Sequence, residues 1–557
     1  MLRRYRGVIA IVVVAVAVIA WALAKDPISK DATAATTTVT VAGDLASMSL
    51  PQGVVPWDKA AADGTTGHYD WGARCDTEKG VVALPYVSPG PCFAQFHGDN
   101  GGSTSTGVTG DEIKVVVYEA NQNDPLAAMV SAVAGGFSDP GIVRTVRDGF
   151  ADIYSKYDET YGRRVDLVPF AGTGTSNDAV AAVADAETIA RDVRPFMVIG
   201  GPALTNAFAD TLAARGVICI VCTPGQPNSF YVHHAPYVWD LLMNPEQNGL
   251  MVNEYIGKRL ARRPARWAGD PAMHGRTRRF GSVHIALGPD TAAIAGILSS
   301  DLARYGVKYA VDASFPDPSS LTSTARDIIT KLKQAGVTTV VYTGDPLAPA
   351  TLTKVATQQD YFPEWVITGT ALIDTDVLAR TYDQRQWSHA FGPADLFVRS
   401  SSGANAAADL WKWYFGSAPP LQGSALSALI GPLQILFMVL QLMGPDVTPT
   451  RFQHTLFTAP TIPGSPQLGQ ISFGTRLWPQ PDYSALDDQS EVWWDPNATG
   501  VDELGSNGRG MWEWVHGGAR VLPGKWPRTE PDVFDPTNAV TVLDTPPPAP
   551  TSYEPIH

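Results

Sequence analysis

Short β-branched runs alternate with amphipathic helical stretches from residue 113 onward. Helical patterns cover Asp178–Arg191, Pro245–Leu260, Thr291–Tyr305 and Ser323–Ala335. Eight runs fit buried strands, at Ile113–Tyr118, Val165–Phe170, Phe196–Ile199, Val217–Cys222, Ser282–Leu287, Lys308–Asp312, Thr338–Tyr342 and Trp365–Thr368. Strands that alternate with helices of this length predict βαβ units and parallel, doubly wound sheets.

The eight predicted strands fall into two groups of four, which favours two similar α/β lobes over one large sheet. Two further helices are predicted at Ala404–Phe415 and Ser424–Met443. Residues 446–557 differ from the rest, because they are rich in Trp, Gly and Pro and only weakly periodic. They end in a TPPPAP segment that is typical of extended chain. We therefore expect a C-terminal extension beyond the lobes.

The N-terminus carries an uninterrupted apolar run from Gly7 to Ala24, preceded by Arg3, Arg4 and Arg6. This is the pattern of an export signal, and its length is also about that of a membrane-spanning helix. Residues 1–24 are therefore either a cleaved signal peptide or an uncleaved membrane anchor. In both cases the rest of the chain is expected outside the cytoplasm, on the extracellular or cell-envelope side. Residues 25–60 are polar, small and aperiodic, which suits a tether.

Export changes how the four cysteines are interpreted. Cys75 and Cys92 lie in a Gly/Pro-rich stretch, and an oxidising compartment favours a disulfide that closes this loop. We expect residues 61–106 to form a compact segment around it. Cys219 and Cys222 form a C-x-x-C at the end of a predicted strand, so either a local disulfide or two packed thiols is favoured over a catalytic dithiol.

Composition and charge exclude several functions. The chain of 557 residues has 41 basic and 55 acidic residues, a formal net charge of −14. Such a balance argues against nucleic acid as a partner. Sequence motifs of zinc peptidases, serine hydrolases and phosphate-binding loops are missing, and the ten His are scattered. We expect neither an enzyme, nor a cofactor, nor a metal site.

Several segments in the same order resemble the type I periplasmic binding proteins, in the branch of branched-chain amino acid receptors that serve ABC transporters. They begin with GVTGDEIKVVVY and the stretch from DAVAAV to CTPG. YVWDLLMNPEQNGLMVNEYI, RFGSVHIALGPDTAAIAG and the stretch from AGVTTVVYTG to EWVITG follow. The similarity covers residues 107–445. The segments CDTEKG, GDNGG, WWDP and GRGMW also resemble a group of exported actinobacterial binding proteins.

This resemblance implies two doubly wound α/β lobes joined by three hinge crossings, with N- and C-terminal extensions. We expect the first lobe at 107–240 plus 345–385 and the second lobe at 241–344 plus 386–445. Closure of the lobes on a small solute would be the signal that a membrane permease reads.

Candidate ligand residues come from loops beyond the carboxyl ends of the strands, where open α/β sheets bind ligands. The alignment to the family points to Leu204, Thr205 and Asn206 in one loop and to Cys222, Thr223 and Pro224 in the next. In the second lobe it points to Thr291, where the family often has an aromatic residue. Asp345 lies three residues before Ala348, which occupies the position of the acid that pairs with a substrate ammonium. The departure argues against free leucine, isoleucine or valine and favours a less charged or more apolar solute.

Two functions remain open at this point. The first is an extracytoplasmic solute-binding protein that delivers an amino-acid-like or more apolar solute to an ABC permease. The alternative is a cell-envelope adaptor or structural protein that keeps the two-lobed fold but binds a protein partner. The Trp-rich extension supports the alternative, since aromatic residues are enriched at interfaces.

Overall fold

The computed structural model describes residues 50–544 and 551–557, apart from residues 87–89, 126, 129–138, 287–289, 317–319, 401–405 and 422. The expected signal or anchor, residues 1–24, and residues 25–49 of the expected tether lie outside the described residues. Within the part that the structure describes, no helix is long and apolar enough to cross a membrane.

The described residues form strands and helices that alternate through most of the chain. The strands are β1 Cys75–Asp76, β2 Val81–Val82, β3 Glu112–Glu119, β4 Arg164–Ala171, β5 Met197–Ile199, β6 Ile218–Ile220, β7 Val238–Trp239, β8 Phe280–Ile285, β9 Val311–Phe315, β10 Thr339–Thr343, β11 Glu364–Ile367, β12 Ala390–Ala394, β13 Ser490–Val501, β14 Asn507–Val515 and β15 Ala539–Val540. The helices are α1 Trp57–Ala62, α2 Pro140–Tyr157, α3 Ala179–Thr188, α4 Ala207–Ala214, α5 Asn228–His233, α6 Pro245–Tyr255, α7 Asp290–Arg304, α8 Leu321–Gln334, α9 Ala348–Gln358, α10 Asp376–Ala379, α11 Gln384–Trp387, α12 Ala406–Phe415, α13 Gly423–Met443 and α14 Pro449–Thr458.

The first lobe is built on a parallel sheet with the strand order β4-β3-β5-β6-β7. Its central strands are continuous runs of apolar residues, because helices cover both faces of such a sheet. Ile113, Val115 and Val116 of β3 are fully buried, as are the three residues of β5 or nearly so. All four strands predicted for this part of the chain are confirmed.

The second lobe is built on a longer sheet with the order β15-β14-β13-β12-β11-β10-β8-β9. Strands β9, β8, β10, β11 and β12 run parallel, which confirms the second predicted group of four. Strands β13, β14 and β15 continue the sheet in antiparallel fashion. The expected doubly wound α/β architecture in two lobes is therefore confirmed.

The antiparallel part of this sheet comes from the C-terminal extension. Residues 446–557 were expected to lie beyond the lobes, but β13 and β14 form a long hairpin that pairs with β12 through Phe391–Trp493 and Ala394–Ser490. Trp494 and Trp512 on this hairpin are almost fully buried in the core of the second lobe. The hairpin is thus a part of that lobe, and its tryptophans serve packing.

The expected boundaries of the lobes are wrong after residue 344. Strand β11 pairs with β10 and β12, so 345–385 belongs to the second lobe rather than the first. Conversely, α12 and α13 pack on α2 of the first lobe, where the ring of Trp411 lies 5.5 Å from Phe150 and that of Phe437 lies 5.7 Å from Tyr154. Apolar residues of α13 are buried in the core of the first lobe, so this helix belongs to the first lobe.

The expected N-terminal segment of 61–106 packs on the first lobe. Cys75 and Cys92 form the predicted disulfide, with their Cα atoms 5.6 Å apart. Arg74 forms an ion pair with Glu159 at 2.5 Å, and both side chains are mostly buried. Cys219 and Cys222 also form a disulfide, which resolves the alternative left open by the sequence.

Candidate functional site

The hinge crossings start from the carboxyl edges of the two parallel sheets. The first crossing leaves the carboxyl end of β7 at Asp240 and enters α6 of the second lobe. The second crossing leaves the carboxyl end of β12 at Asp395 and leads back to α12. Ser484 of the third crossing bridges Asp240 in parallel. Because the crossings leave from these edges, the loops that follow the strands lie on the hinge side of each lobe, and the region between them is called the interlobe cleft below.

Two loops of the first lobe lie together at this cleft. The Thr223 hydroxyl donates to the carbonyl of Thr205 at 3.1 Å, which joins the loop after β6 to the loop after β5. Their close approach requires Gly201, because a Cβ there would lie 2.6 Å from the carbonyl oxygen of Cys222. The structure therefore brings together the two groups of residues that the sequence singled out, 204–206 and 222–224.

The side chains of these two loops differ in how free they are to meet a solute. Leu204 is 49% exposed, and Pro224 is half-buried. Asn206 is half-buried and precedes α4, but its side chain forms no capping hydrogen bond. In contrast, Thr223 is buried with its hydroxyl engaged, and Cys222 is buried in its disulfide. Leu204, Asn206 and Pro224 are thus the side chains available for contact.

Two of the expected ligand residues, Thr291 and Asp345, lie in the second lobe. Thr291 lies in the first turn of α7, and its side chain is outside the described part of the structure. Asp345 caps the N-terminal end of α9, since its Oδ1 accepts from the backbone N–H groups of Leu347 at 2.8 Å and Ala348 at 2.9 Å. The Tyr342 hydroxyl donates to the Asp345 carbonyl oxygen. Burial raises the pKa of the Asp345 carboxyl.

These contacts explain the loop chemistry around Asp345. Asp345 lies two residues before Leu347, the N-cap residue of α9, and its carboxyl accepts from the unpaired amides at the start of the helix, so the side chain is held by the helix that follows it. Ala348 is itself buried within α9. The carboxyl in the loop after β10 is therefore held by the amides at the start of α9.

Sequence reasoning missed a second polar network of the first lobe. Asp185 on α3 accepts from the Tyr118 hydroxyl at 3.0 Å, from the Thr173 hydroxyl at 2.7 Å and from its backbone N–H at 2.9 Å. Nearby, both the hydroxyl and the backbone N–H of Ser176 donate to Asp124. These bonds fix the loops after β3 and β4 at the cleft edge. The sequence shows the polar residues of these loops, such as Asp124 and Ser176, but their spacing does not show that they form hydrogen bonds with each other.

The hinge is lined by buried carboxyl groups. Asp482 Oδ1 accepts from Gln247 Nε2 and from the Ser484 backbone N–H, each at 2.8 Å, and burial raises its pKa to about 8. Asp395 accepts from Asn248 Nδ2 at 3.2 Å and from Gln489 Nε2 at 2.9 Å, and burial raises its pKa to about 7. These bonds join α6 to the second and third crossings.

The cleft carries no recognisable metal centre in the part of the chain that the structure describes. No group of three or more His, Cys, Asp and Glu side chains is placed there, or elsewhere among those residues, so as to hold a metal ion. The described residues offer hydrogen bonds and apolar contacts, and the backbone amides at the amino-terminal end of α4 can donate to an anionic group, although Asp210 lies in the same turn.

Comparisons with known proteins find solved structures that are similar to this chain. No protein-family model and no curated protein sequence matches the chain. Among solved structures, the closed leucine-, isoleucine-, valine-, threonine- and alanine-binding protein from Brucella ovis is similar with a TM-score of 0.51 at 11% identity, over 75% of this chain and 98% of that chain. An ABC-transporter solute-binding protein from R. palustris in complex with 4-hydroxybenzoate gives a TM-score of 0.49 at 12% identity, over 72% and 97%.

A branched-chain amino acid substrate-binding protein from Streptococcus pneumoniae in complex with isoleucine gives a TM-score of 0.46 at 12% identity, over 72% of this chain and 100% of that chain. At such identities a likeness concerns the fold. Two parallel α/β sheets linked by several hinge crossings give this chain the two-lobed fold of the type I periplasmic binding proteins.

Proposed function

We propose that this protein is an exported solute receptor that captures a small molecule between its lobes and presents it to an ABC-type importer. The observation that carries the proposal is the pair of joined loops, 204–206 and 222–224, on the carboxyl edge from which the first crossing to the second α/β lobe leaves. Proteins of this fold close by hinge motion around a ligand. The solved structures that match are binding proteins for small solutes, and they do not favour the adaptor alternative.

The chemistry of the cleft supports a solute with an acidic group and an apolar body, but without an ammonium group. The amino-terminal end of α4 favours an anion, and Leu204 and Pro224 offer apolar contact. The Asp345 carboxyl is committed to the amides of α9, so an ammonium group would lack its charge partner. A lost charge-assisted hydrogen bond costs about 1.5–3 kcal/mol.

A thermal-shift screen tests the proposal on the full chain in detergent. The library contains aliphatic and aromatic monocarboxylic acids, together with leucine, isoleucine and valine. We expect stabilisation by carboxylic acids that lack an amino group and none by the three amino acids. Stabilisation by the amino acids alone would refute the ligand class, and the absence of any shift would refute the receptor function.

A single variant connects the binding to the candidate cleft. Asn206→Ala removes a side chain that forms no capping bond, so we expect unchanged stability and an affinity lowered about fivefold or more. Gln334→Ala is the matched control, because Gln334 is exposed at the end of α8, on the side of the second lobe away from the cleft. Equal affinity of the two variants would remove Asn206 from the site.

A further inference from the structure

A basic pocket lies on the second lobe, away from the interlobe cleft. Its volume is about 360 Å³, and its lining includes Arg262, Arg278, Arg279, Lys308 and Tyr309. These residues precede β8 or β9, so the pocket is at the amino ends of the parallel strands. Strand β8 has six residues, which places the pocket roughly 20 Å from the carboxyl edge that borders the cleft.

Among the residues that the structure describes, three of the four cations in this pocket have no acidic partner. Arg278 is fully committed, since its guanidinium forms a buried bidentate pair with Glu364 at 2.8 and 2.9 Å. Arg262, Arg279 and Lys308 are exposed, and among the described residues none of them has a carboxylate within 4 Å. Three like charges around one concave surface repel one another unless an anion joins them.

The local sequence concentrates positive charge in a chain that is acidic as a whole. Residues 258–279 contain a single acidic residue, Asp270, in a chain of net charge −14. The same stretch contains eight basic residues, namely Lys258, Arg259, Arg262, Arg263, Arg266, Arg276, Arg278 and Arg279. Four of the eight form ion pairs with acidic side chains, namely Lys258, Arg259, Arg266 and Arg278. The excess positive charge of this stretch therefore rests on the others, which include Arg262 and Arg279 at the pocket.

The backbone holds Arg262 in place at the wall of the pocket. Arg262 has a φ of +64°, a left-handed conformation that L-residues seldom adopt. Gly306 lies opposite with a φ of +75°, and a Cβ there would come within 3.1 Å of Arg262 Nη2. The absence of a side chain at Gly306 lets the guanidinium lie over the backbone of the loop before β9.

We propose that this pocket binds a phosphate group. Two guanidinium groups and one ammonium group match a tetrahedral, multiply charged anion, because arginine donates two parallel N–H bonds to phosphate oxygens and lysine adds a point charge. A carboxylate would neutralise only one of the three charges. The phosphate group is carried either by a free inorganic phosphate species or by the headgroup of an anionic lipid.

Calorimetric titration of the full chain in detergent at about 0.15 M salt tests this site. The probes are inorganic phosphate, pyrophosphate and dihexanoyl phosphatidylglycerol below its micelle concentration. Arg279→Gln combined with Lys308→Gln removes two of the cations without altering the backbone. Lys331→Gln combined with Lys354→Gln is the matched control, since both lysines are exposed on helices of the same lobe and do not line the pocket.

Saturable binding of phosphate or pyrophosphate, weakened about tenfold or more in the pocket variant and unchanged in the control, would establish a site for free phosphate species. Binding of the lipid alone, with the same dependence on the variant, would establish a headgroup site. Thermal unfolding of both variants should match that of the unmodified chain. No binding of any probe, or equal binding by the two variants, would overturn the proposal.

Discussion

At the residue scale, Asp345 shows how a candidate ligand residue acquires a different role in the structure. Asp345→Ala deprives the amides of Leu347 and Ala348 of their acceptor, so we expect the free energy of unfolding to fall by about 0.5–2 kcal/mol. Asp345→Asn keeps an acceptor oxygen and should retain most of that stability. Urea unfolding measures both variants. Equal stability of Asp345→Ala and the unmodified chain would contradict the capping role.

The buried carboxyl of Asp482 at the hinge should make the stability of the protein depend on pH. Its carboxyl has a model-compound pKa of 3.8 and a folded-state pKa of about 8, raised by burial. The folded state therefore keeps this proton over a pH range in which the unfolded chain releases it, so the contribution of Asp482 to stability is greatest below about pH 4 and falls as the pH rises toward 8. We expect the free energy of unfolding of the unmodified chain to decline from pH 5 to pH 8.

Asp482→Asn should make that decline shallower by at least about 1.4 kcal/mol, which is the energy of one pKa unit. The amide oxygen can still accept from Gln247 and from the Ser484 backbone, so the hinge geometry is retained. Urea unfolding at several pH values between 5 and 8 measures the effect, with Asp63→Asn at an exposed position as the control. Parallel pH profiles of Asp482→Asn and the unmodified chain would contradict it.

At the scale of elements, the hairpin of β13 and β14 belongs to the folded core. Trp512 is 1% exposed, and its ring contacts Trp494 at 5.4 Å and Trp387 of α11 at 6.2 Å. We expect Trp512→Ala to lower the free energy of unfolding by about 3–5 kcal/mol. Val180→Ala, at an exposed position of α3, should change it by about 0.5 kcal/mol or less. A similarly small effect of Trp512→Ala would show that the hairpin is an appendage.

The elements also show what a sequence can predict. Continuous β-branched runs such as Ile113–Tyr118 identified parallel strands, because a strand covered on both faces must be apolar along its length. The hairpin at 490–515 is not predicted from the sequence, because Gly508, Gly510 and Pro496 interrupt the alternation of polar and apolar residues. Helix α13 was placed in the wrong lobe for a different reason. Its sequence is mostly apolar, and a helix of this composition fits either core equally well until the crossings are known.

The candidate site illustrates the same limit at close range. The loops at 204–206 and 222–224 could be identified, because in parallel sheets functional loops follow the carboxyl ends of the strands. The roles of the individual side chains in these loops could not be predicted from the sequence. Whether Thr223 faces a solute or the neighbouring backbone depends on the separation of two loops that are 18 residues apart in sequence. The basic pocket was hidden for a comparable reason, since the net charge averages over both lobes.

At the scale of the whole molecule, the chain passes between the lobes once more after the hinge crossings. Strand β15 pairs within the second lobe, whereas residues 551–557 contact the first lobe. There, the Trp413 indole donates to the Tyr553 carbonyl at 2.7 Å, and the Ile556 backbone N–H donates to the Tyr157 hydroxyl at 3.0 Å. The Tyr553 hydroxyl donates to Asp76 in the disulfide-linked segment.

This additional connection should restrict how far the lobes separate, because a tail fixed at both ends limits their relative displacement. We expect deletion of residues 551–557 to lengthen and broaden the interlobe distance distribution. Electron paramagnetic resonance between spin labels at Val180→Cys and Lys331→Cys measures it, since all four natural cysteines are paired. Trp413→Phe, which removes only the indole donor, should give an intermediate result. If the deletion leaves the distribution unchanged while the protein remains folded, the hinge crossings alone determine the spacing of the lobes.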